Sequence, residues 1–414
     1  MELEKEKKMS DERVPAFAAF QHADFRWIWS GQLLSDIGSQ MQVVAINWHI
    51  YILTHSPVAL GLISLCRVLP ILTLSLVGGV YADARDRRKI LLWTQSMMMV
   101  LAGCLVLFNN YGTISVACIY LVVAAIAAAE AFNSPAWQSV IPNLVPRNHL
   151  MNALSLTNVM KHMATIVGPA LAGFIIAWKG VAAVYLINMI SFLAVLIPFY
   201  RMKIATQTSP KKSRVSLSAL GEGLQFVVHN QILLSTALLD FFSTFFSSAQ
   251  ALLPIFAKEI LKVGPQGLGI LHAGRAVGGV IAGAGISYWG DLRKKGRYVF
   301  YGVTLYEAAT VFFGASHWFA LSFLALILVG GGDAVSAILR QNIRQVETPD
   351  HLRGRMNSVM RIFSNGGPQL GNLEAGLVAA LIGSPLSVIT GGLANLVCIG
   401  LLAWKVPKIW DYEN

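Results

Sequence analysis

Ten ionisable side chains stand inside long apolar runs of this 414-residue sequence. They are the acids Asp36, Glu130, Asp240, Glu307, Asp333 and Glu374 and the bases Arg67, Lys161, Arg275 and Arg361. At the centre of a bilayer each would cost about 2.5 to 3.5 kcal/mol, so each needs a partner, a watery cavity or a task. Carboxyls held partly dehydrated beside arginines suit reversible proton uptake, because burial favours the neutral form and a nearby cation the charged one. A guanidinium could equally clamp an anionic group at two points. The plainer alternative is structural: acids and arginines pair and hold helices together. Asp36 and Asp240 fall ten and nine residues into their apolar runs, about 14 Å deep at 1.5 Å per residue. His162 beside Lys161 reads as a packing residue.

Other chemistries find no footing. No HExxH, GxSxG or lysine-bearing phosphate loop is present. Gly330-Gly331-Gly332-Asp333 matches the short GxGD pattern of intramembrane aspartyl proteases, but no Tyr-Asp pair accompanies it in any span, so the match reads as chance. Cys66, Cys104, Cys118 and Cys398 show no CxxC spacing and imply neither disulfides nor a metal site.

The elements that must position these groups are membrane-spanning helices. With 55% hydrophobic and 13% charged residues, the chain falls far below the roughly 25% charge of soluble domains. Windows of about 20 apolar residues predict twelve spans, at 26–53, 58–82, 90–108, 113–135, 150–177, 181–199, 231–256, 266–289, 298–314, 318–342, 352–382 and 386–404. A net charge of +11 does not mark a nucleic-acid binder, because 25 of the 32 Lys and Arg sit in the tails and alternate loops on one side of the spans. The positive-inside rule places that side, with both termini, in the cytoplasm. The opening polar stretch reads as a retained tail.

The spans fall into two related sets. The segment from Ser56 matches that from Gly264 at an offset of 208, which also relates Arg67 to Arg275 and Asp83 to Asp291. Gly168-Pro169 through Gly173 matches the segment from Gly371 at an offset of 203, as Glu130 matches Asp333. The expected organisation is a tail to residue 25, a first half at 26–199, a linker at 200–222, a second half at 223–404 and a tail from 405. Such parallel repeats are common in transporters.

Together with the loop Gly79-Val-Tyr-Ala-Asp83-Ala-Arg-Asp86-Arg87-Arg88-Lys89, this arrangement resembles the major facilitator superfamily. ThrHisSerPro at 54–57 and GluThrProAspHisLeuArgGlyArgMetAsn at 347–357 make it similar to the drug and siderophore exporter branch. The resemblance implies an all-α fold of twelve transmembrane helices, in two six-helix halves with pseudo-twofold symmetry. It implies a central cavity lined by spans one, four, seven and ten, hence by Asp36, Glu130, Asp240 and Asp333, with Arg67 and Arg275 flanking. Gly79, Asp83, Arg87 and Arg88 would form a cytoplasmic latch between halves, with Asp291 and Arg293 as its weaker copy. Gly168, Pro169 and Gly173 would be an antiporter motif, hinged on Gly278, Gly279, Gly283 and Gly285 of span eight. Glu307, on an outer span, would be structural. One departure is that 113–135 lacks both the arginine and the relay carboxylate of a sister branch, with Asn133, Ser134 and Gln138 in the neighbourhood.

The implied function is secondary active transport: proton antiport that exports amphipathic small molecules such as drugs, macrolides or siderophores by alternating access. It would need no cofactor beyond a proton gradient. Its partners would be the substrate, protons and membrane lipids, with no nucleic acid, in a monomer in a bacterial cytoplasmic (inner) membrane. A translocator of lipids or lysophospholipids would use the same fold, and a polytopic membrane enzyme is the remotest reading.

Overall fold

The computed structural model describes residues 15, 17–201, 217–247, 249–290 and 292–413. Twelve long helices follow the expected spans: α1 Ala23–Thr54, α2 Pro57–Ala84, α3 Arg87–Asn110, α4 Val116–Val140, α5 Leu150–Lys179, α6 Val181–Arg201, α7 Gln231–Phe246, α8 Gly264–Trp289, α9 Lys295–Ala315, α10 Phe319–Glu347, α11 Arg353–Ile382 and α12 Ser384–Lys405. Local chemistry sets their ends. Ser56, Asp86, Ser115 and Asn230 accept hydrogen bonds from the first free N–H groups of α2, α3, α4 and α7. Gly180, Gly290 and Gly383 stop α5, α8 and α11 with positive φ.

Among the described residues nine of these helices are long and apolar enough to cross a membrane. The other three, α1, α9 and α11, are more polar for a visible reason. Helix α1 turns Gln40, Gln42 and Asn47, and α11 turns Gln369 and Asn372, into an internal cavity. Helix α9 buries Glu307 and Lys295. The described part of the linker forms an amphipathic helix, Leu217–His229, docked on the second half through Val227, Met356 and Met360.

One apolar core spans both halves, built from residues such as Tyr51, Leu60, Ala172, Phe256, Leu268 and Ala375, which lie toward the face remote from the basic loops. Toward the basic face the core divides. One cluster holds Phe25, Leu91, Trp137 and Phe199 of the first half, and another holds Leu239, Phe300, Leu339 and Ile409 of the second. The halves therefore converge at the remote face and part toward the basic face.

The convergence obeys the sequence repeat. A Cβ on Gly376 of α11 would lie 2.6 Å from the Pro57 carbonyl oxygen of α2, and one on Gly173 of α5 would lie 2.4 Å from that of Pro265 of α8. Pro57 and Pro265, like Gly173 and Gly376, are repeat equivalents, so one glycine contact is used twice. Since lipid is as apolar as leucine, close backbone contact rather than water exclusion draws membrane helices together.

Two expectations are corrected here. Helix α10 runs to Glu347, so Arg340 and Arg344, read as loop charges, belong to a helix and are buried. On α8 the glycine that meets α5 is Gly269, whose Cβ would lie 2.5 Å from the Pro169 carbonyl oxygen, whereas Gly278 packs on Ile327 of α10. Helix α8 crosses α5 near its start and runs along α10 thereafter. Gly168 faces α1, against Gln40 and Ile37.

Candidate functional site

The repeat-related arginines meet the repeat-related acids. Arg67 of α2 bridges Glu130 of α4 at 3.4 Å, and Arg275 of α8 bridges Asp333 of α10 at 2.9 Å. Close helix approach sets both pairs. A Cβ on Gly78 of α2 would lie 2.4 Å from the Ala131 carbonyl oxygen of α4, and one on Gly330 of α10 would lie 1.8 Å from that of Arg275. The Gly330–Gly332 run is thus a packing surface, with Gly332 against Gly302 of α9. The Arg275 guanidinium also sits 5.8 Å from the Tyr306 ring centroid, within cation–π range.

Arg67 and Glu130 stand in the wall of a cavity of about 200 Å³ between the halves. First-half amides and hydroxyls surround them: Gln40, Gln42, Asn47, Ser64 and Asn188. The second half contributes Gln250, His272, Gln369 and Asn372. The wall joins one matched ion pair to neutral polar groups and to Val43, Ile46, Met98 and Phe192, a lining suited to amphipathic molecules. A narrower space of about 10 Å³ shares Gln250 and His272 with it and reaches Arg275.

The remaining predicted acids lie outside these two walls. Asp36 accepts a 2.7 Å hydrogen bond from the Gln32 amide one turn earlier, with Lys161 and Glu130 among the charges acting on it. Asp240 is buried under two arginines, with Arg340 Nη2 3.0 Å from Oδ1 and Arg344 Nη2 3.4 Å from Oδ2, and the Ser364 hydroxyl also donates to it. Sequence reasoning missed this cluster because both arginines lie near the end of a helix, where they read as orientation charges. Their spacing of four, which stacks them on one helix face, was the available signal.

In the signature loop, the surroundings of Gly79 and the side chain of Asp83 lie outside what is described, as does Asp291. Arg87 donates to the Ser139 carbonyl at the end of α4 (3.1 Å), and Arg88 to those of Phe199 (2.7 Å) and Tyr200 (2.8 Å) at the end of α6. Both arginines thus cap helix carboxyl ends within their own half. Asn133 accepts from Thr94 at 3.0 Å, and Ser134 accepts from Gln138 at 3.3 Å. Arg293, Lys161 and Arg361 are exposed.

At the remote face the first half meets an irregular segment after α7, where a 3₁₀ turn Ala249–Leu252 leads through Leu253–Ile255 into a π turn Phe256–Ile260. The Tyr51 hydroxyl donates to Glu259 of that turn, and the Lys258 ammonium lies 5.6 Å from the Tyr51 ring centroid. This polar closure was not foreseen, since Tyr51 and Glu259 are 208 residues apart.

Comparison with known proteins agrees with this architecture. The major facilitator family model described as "Transmembrane secretion effector" matches residues 14–413. The chain is 24% identical over 399 residues to the staphyloferrin A transporter of Staphylococcus aureus, covering 92% of this chain and 96% of the relative. It is 24% identical over 381 residues to the enterobactin exporter EntS of Escherichia coli, covering 92% and 91%. Among solved structures it resembles an inward-facing bacterial homologue of the human lysosomal transporter Spinster, with a TM-score of 0.74 at 13% identity over 94% of this chain and 98% of that one. It also resembles an inward-facing bacterial homologue of the iron transporter ferroportin, with a TM-score of 0.68 at 19% identity over 92% and 98%. The chain belongs to the transmembrane secretion effector family of the major facilitator superfamily, and it is a transporter rather than an enzyme.

Proposed function

We propose that this protein is a proton-coupled antiporter that exports amphipathic small molecules, siderophores or drugs such as macrolides among them, across a bacterial inner membrane. The observation that carries the reading is the cavity between the halves, which share one core toward the remote face and part toward the basic face; the cavity wall combines the Arg67–Glu130 pair, neutral amides and apolar side chains. The charge asymmetry of the loops supports a cytoplasmic location for the basic face and both termini, so the cavity loads from the cytoplasm. Siderophore transport by relatives over nearly their whole length supports the substrate class. Rocking of the halves about the doubled glycine contact would open the remote face. Glu130, in the cavity wall, and Asp36, one turn from the wall residue Gln40, would carry the protons, and Arg67 would bind an anionic group of the cargo. The latch assigned to Gly79, Asp83, Arg87 and Arg88 would act in the opposite state, when the basic face closes.

The test is reconstitution in liposomes with a lumenal pH dye under an imposed pH gradient, with erythromycin, ethidium and enterobactin as cargoes. Cargo-dependent proton flux, lost in Asp36→Asn or Glu130→Gln, is expected. Cargo movement without proton movement would refute antiport, and movement of lysophospholipid alone would make the protein a lipid translocator.

A further inference from the structure

Among the described residues two acids in the spans are buried, and they are treated in opposite ways. Asp240 is held by Arg340 and Arg344. Glu307 of α9, at 0% exposure, is bonded by no cation. The Ser247 hydroxyl donates to its Oε2 and the Asn395 amide to its Oε1. Ser247 closes α7 where that helix gives way to the irregular segment, and Asn395 reaches Glu307 from α12, which Gly392 brings against the Glu307 backbone.

These partners can serve both protonation states. A guanidinium only donates, so protonating Asp240 or Asp333 would strand a cation, and protonating Glu130 would do so unless an anionic group of the cargo took its place on Arg67. A hydroxyl accepts as readily as it donates, so a proton on Glu307 Oε2 reverses the bond to Ser247. Asn395, itself fully buried, keeps an amide oxygen without a partner, a second acceptor beside the carboxyl. The charges around the site come from two helices: Arg275 of α8 and Asp333 of α10, with Arg340 of α10 near the neighbouring Tyr306. Arg275 is engaged by Asp333, and Arg340 with Arg344 by Asp240, so among the described residues each of these cations bonds another acid and none bonds Glu307.

The space beside Ser247 adjoins the large cavity. Ser247 lines the narrow space of about 10 Å³, room for about one water. Gln250 and His272 are shared between that space and the large cavity, and His272 Nε2 has no partner. We propose that Glu307 is a proton-carrying site of the second half. It takes a proton from cavity water through the His272–Gln250 junction and Ser247, and returns it to water when the remote face opens. The Tyr306 hydroxyl bonds the Ser247 carbonyl, so the state of Glu307 bears on the end of α7, from which the chain leads to Glu259 and the closure on Tyr51. The coupling part of this inference rests on the antiport reading; the proton site does not.

The site is tested first on the unaltered protein. Dicyclohexylcarbodiimide, which modifies protonated carboxyls in apolar surroundings, is expected to label Glu307 at low pH and progressively less as pH rises, read by peptide mass spectrometry. Ser247→Ala is expected to move the midpoint of that labelling. Absence of label on Glu307 at every pH, with Asp36 labelled, would overturn the proposal. In liposomes, Glu307→Gln is expected to lose proton-driven accumulation of ethidium or erythromycin by about tenfold or more, while exchange of the same cargo falls about threefold at most. Proton flux of wild-type size in that variant would remove Glu307 from coupling. A labelled Glu307 in a wild-type protein that moves no protons would sink antiport and leave the proton site standing.

Discussion

Asp240 and Glu130 both face guanidinium groups, yet their surroundings give the two pairs different weights. Asp240 lies under arginines whose side chains are 2% and 5% exposed, whereas Arg67 and Glu130 are 35% and 36% exposed in the cavity wall. Removing one partner of a buried pair strands a charge and costs about 3 to 5 kcal/mol, while an open pair contributes about 0 to 1 kcal/mol. Asp240→Asn is therefore expected to lower thermal stability in detergent strongly, and Glu130→Gln barely. The order reverses in transport, where loss of Glu130 should change the apparent affinity for cargo. Equal loss of stability in the two variants would contradict this division between a structural and a cavity-facing pair.

At the scale of elements, the doubled glycine contact decides whether the remote face can close. A leucine at Gly173 or Gly376 cannot fit against a carbonyl oxygen at 2.4 or 2.6 Å, so α5 must leave α8, or α11 leave α2. Either variant is expected to hold the remote face open. In a background with the four cysteines replaced, a cysteine at Ser64 in the cavity wall should then react with a membrane-impermeant maleimide from the remote face. The end of the chain is a second such element. Gly296 at the start of α9 takes Ile409 so closely that a Cβ would sit 1.7 Å from its carbonyl oxygen, and Arg297 bridges Asp411 at 3.1 Å. The Tyr412 hydroxyl donates to Glu347 at the end of α10 at 2.9 Å. Burial first, and then this bond, push the Tyr412 phenol up to about 12. A raised folded-state value means this stabilisation is complete below the ordinary phenol range near 10 and lost as pH rises through about 12. Tyr412→Phe should flatten unfolding stability over that window, and removal of residues 406–414 should lower the melting temperature of the whole protein.

For the whole molecule, alternating access as proposed makes the state described here one member of a pair. A single net hydrogen bond contributes about 0.5 to 1.5 kcal/mol, enough to shift a two-state population by roughly two- to twelvefold. Tyr51→Phe removes the bond to Glu259 across the halves and is expected to raise the remote-open population by that order. Spin labels at Arg85 and Arg293, both exposed on the basic face, should report it as a larger short-distance fraction in double electron–electron resonance. An unchanged distance distribution would show that the closure rests on the apolar core and glycine contacts alone.

What the sequence determined by itself was everything written in composition and period. Twelve apolar runs, the one-sided basic loops and the offsets of 208 and 203 imply twelve helices in two related halves, because a span must bury its own backbone polarity and a duplicated half keeps its packing glycines. The equivalence of Pro57 with Pro265 and of Gly173 with Gly376 was legible in that repeat, as were Arg67 and Arg275 as equivalent groups, but the contacts these residues make were not. Which acid meets which base was left to the tertiary structure. Arg67 finds Glu130 because Gly78 lets α2 touch α4, and Asp240 finds arginines that composition assigned to a loop. Glu307 sits between Ser247 and Asn395, which are 60 and 88 residues away, and Tyr51 reaches Glu259 across the halves. These choices depend on where backbones approach within a few ångströms, a property of helices packed together that no single helix carries.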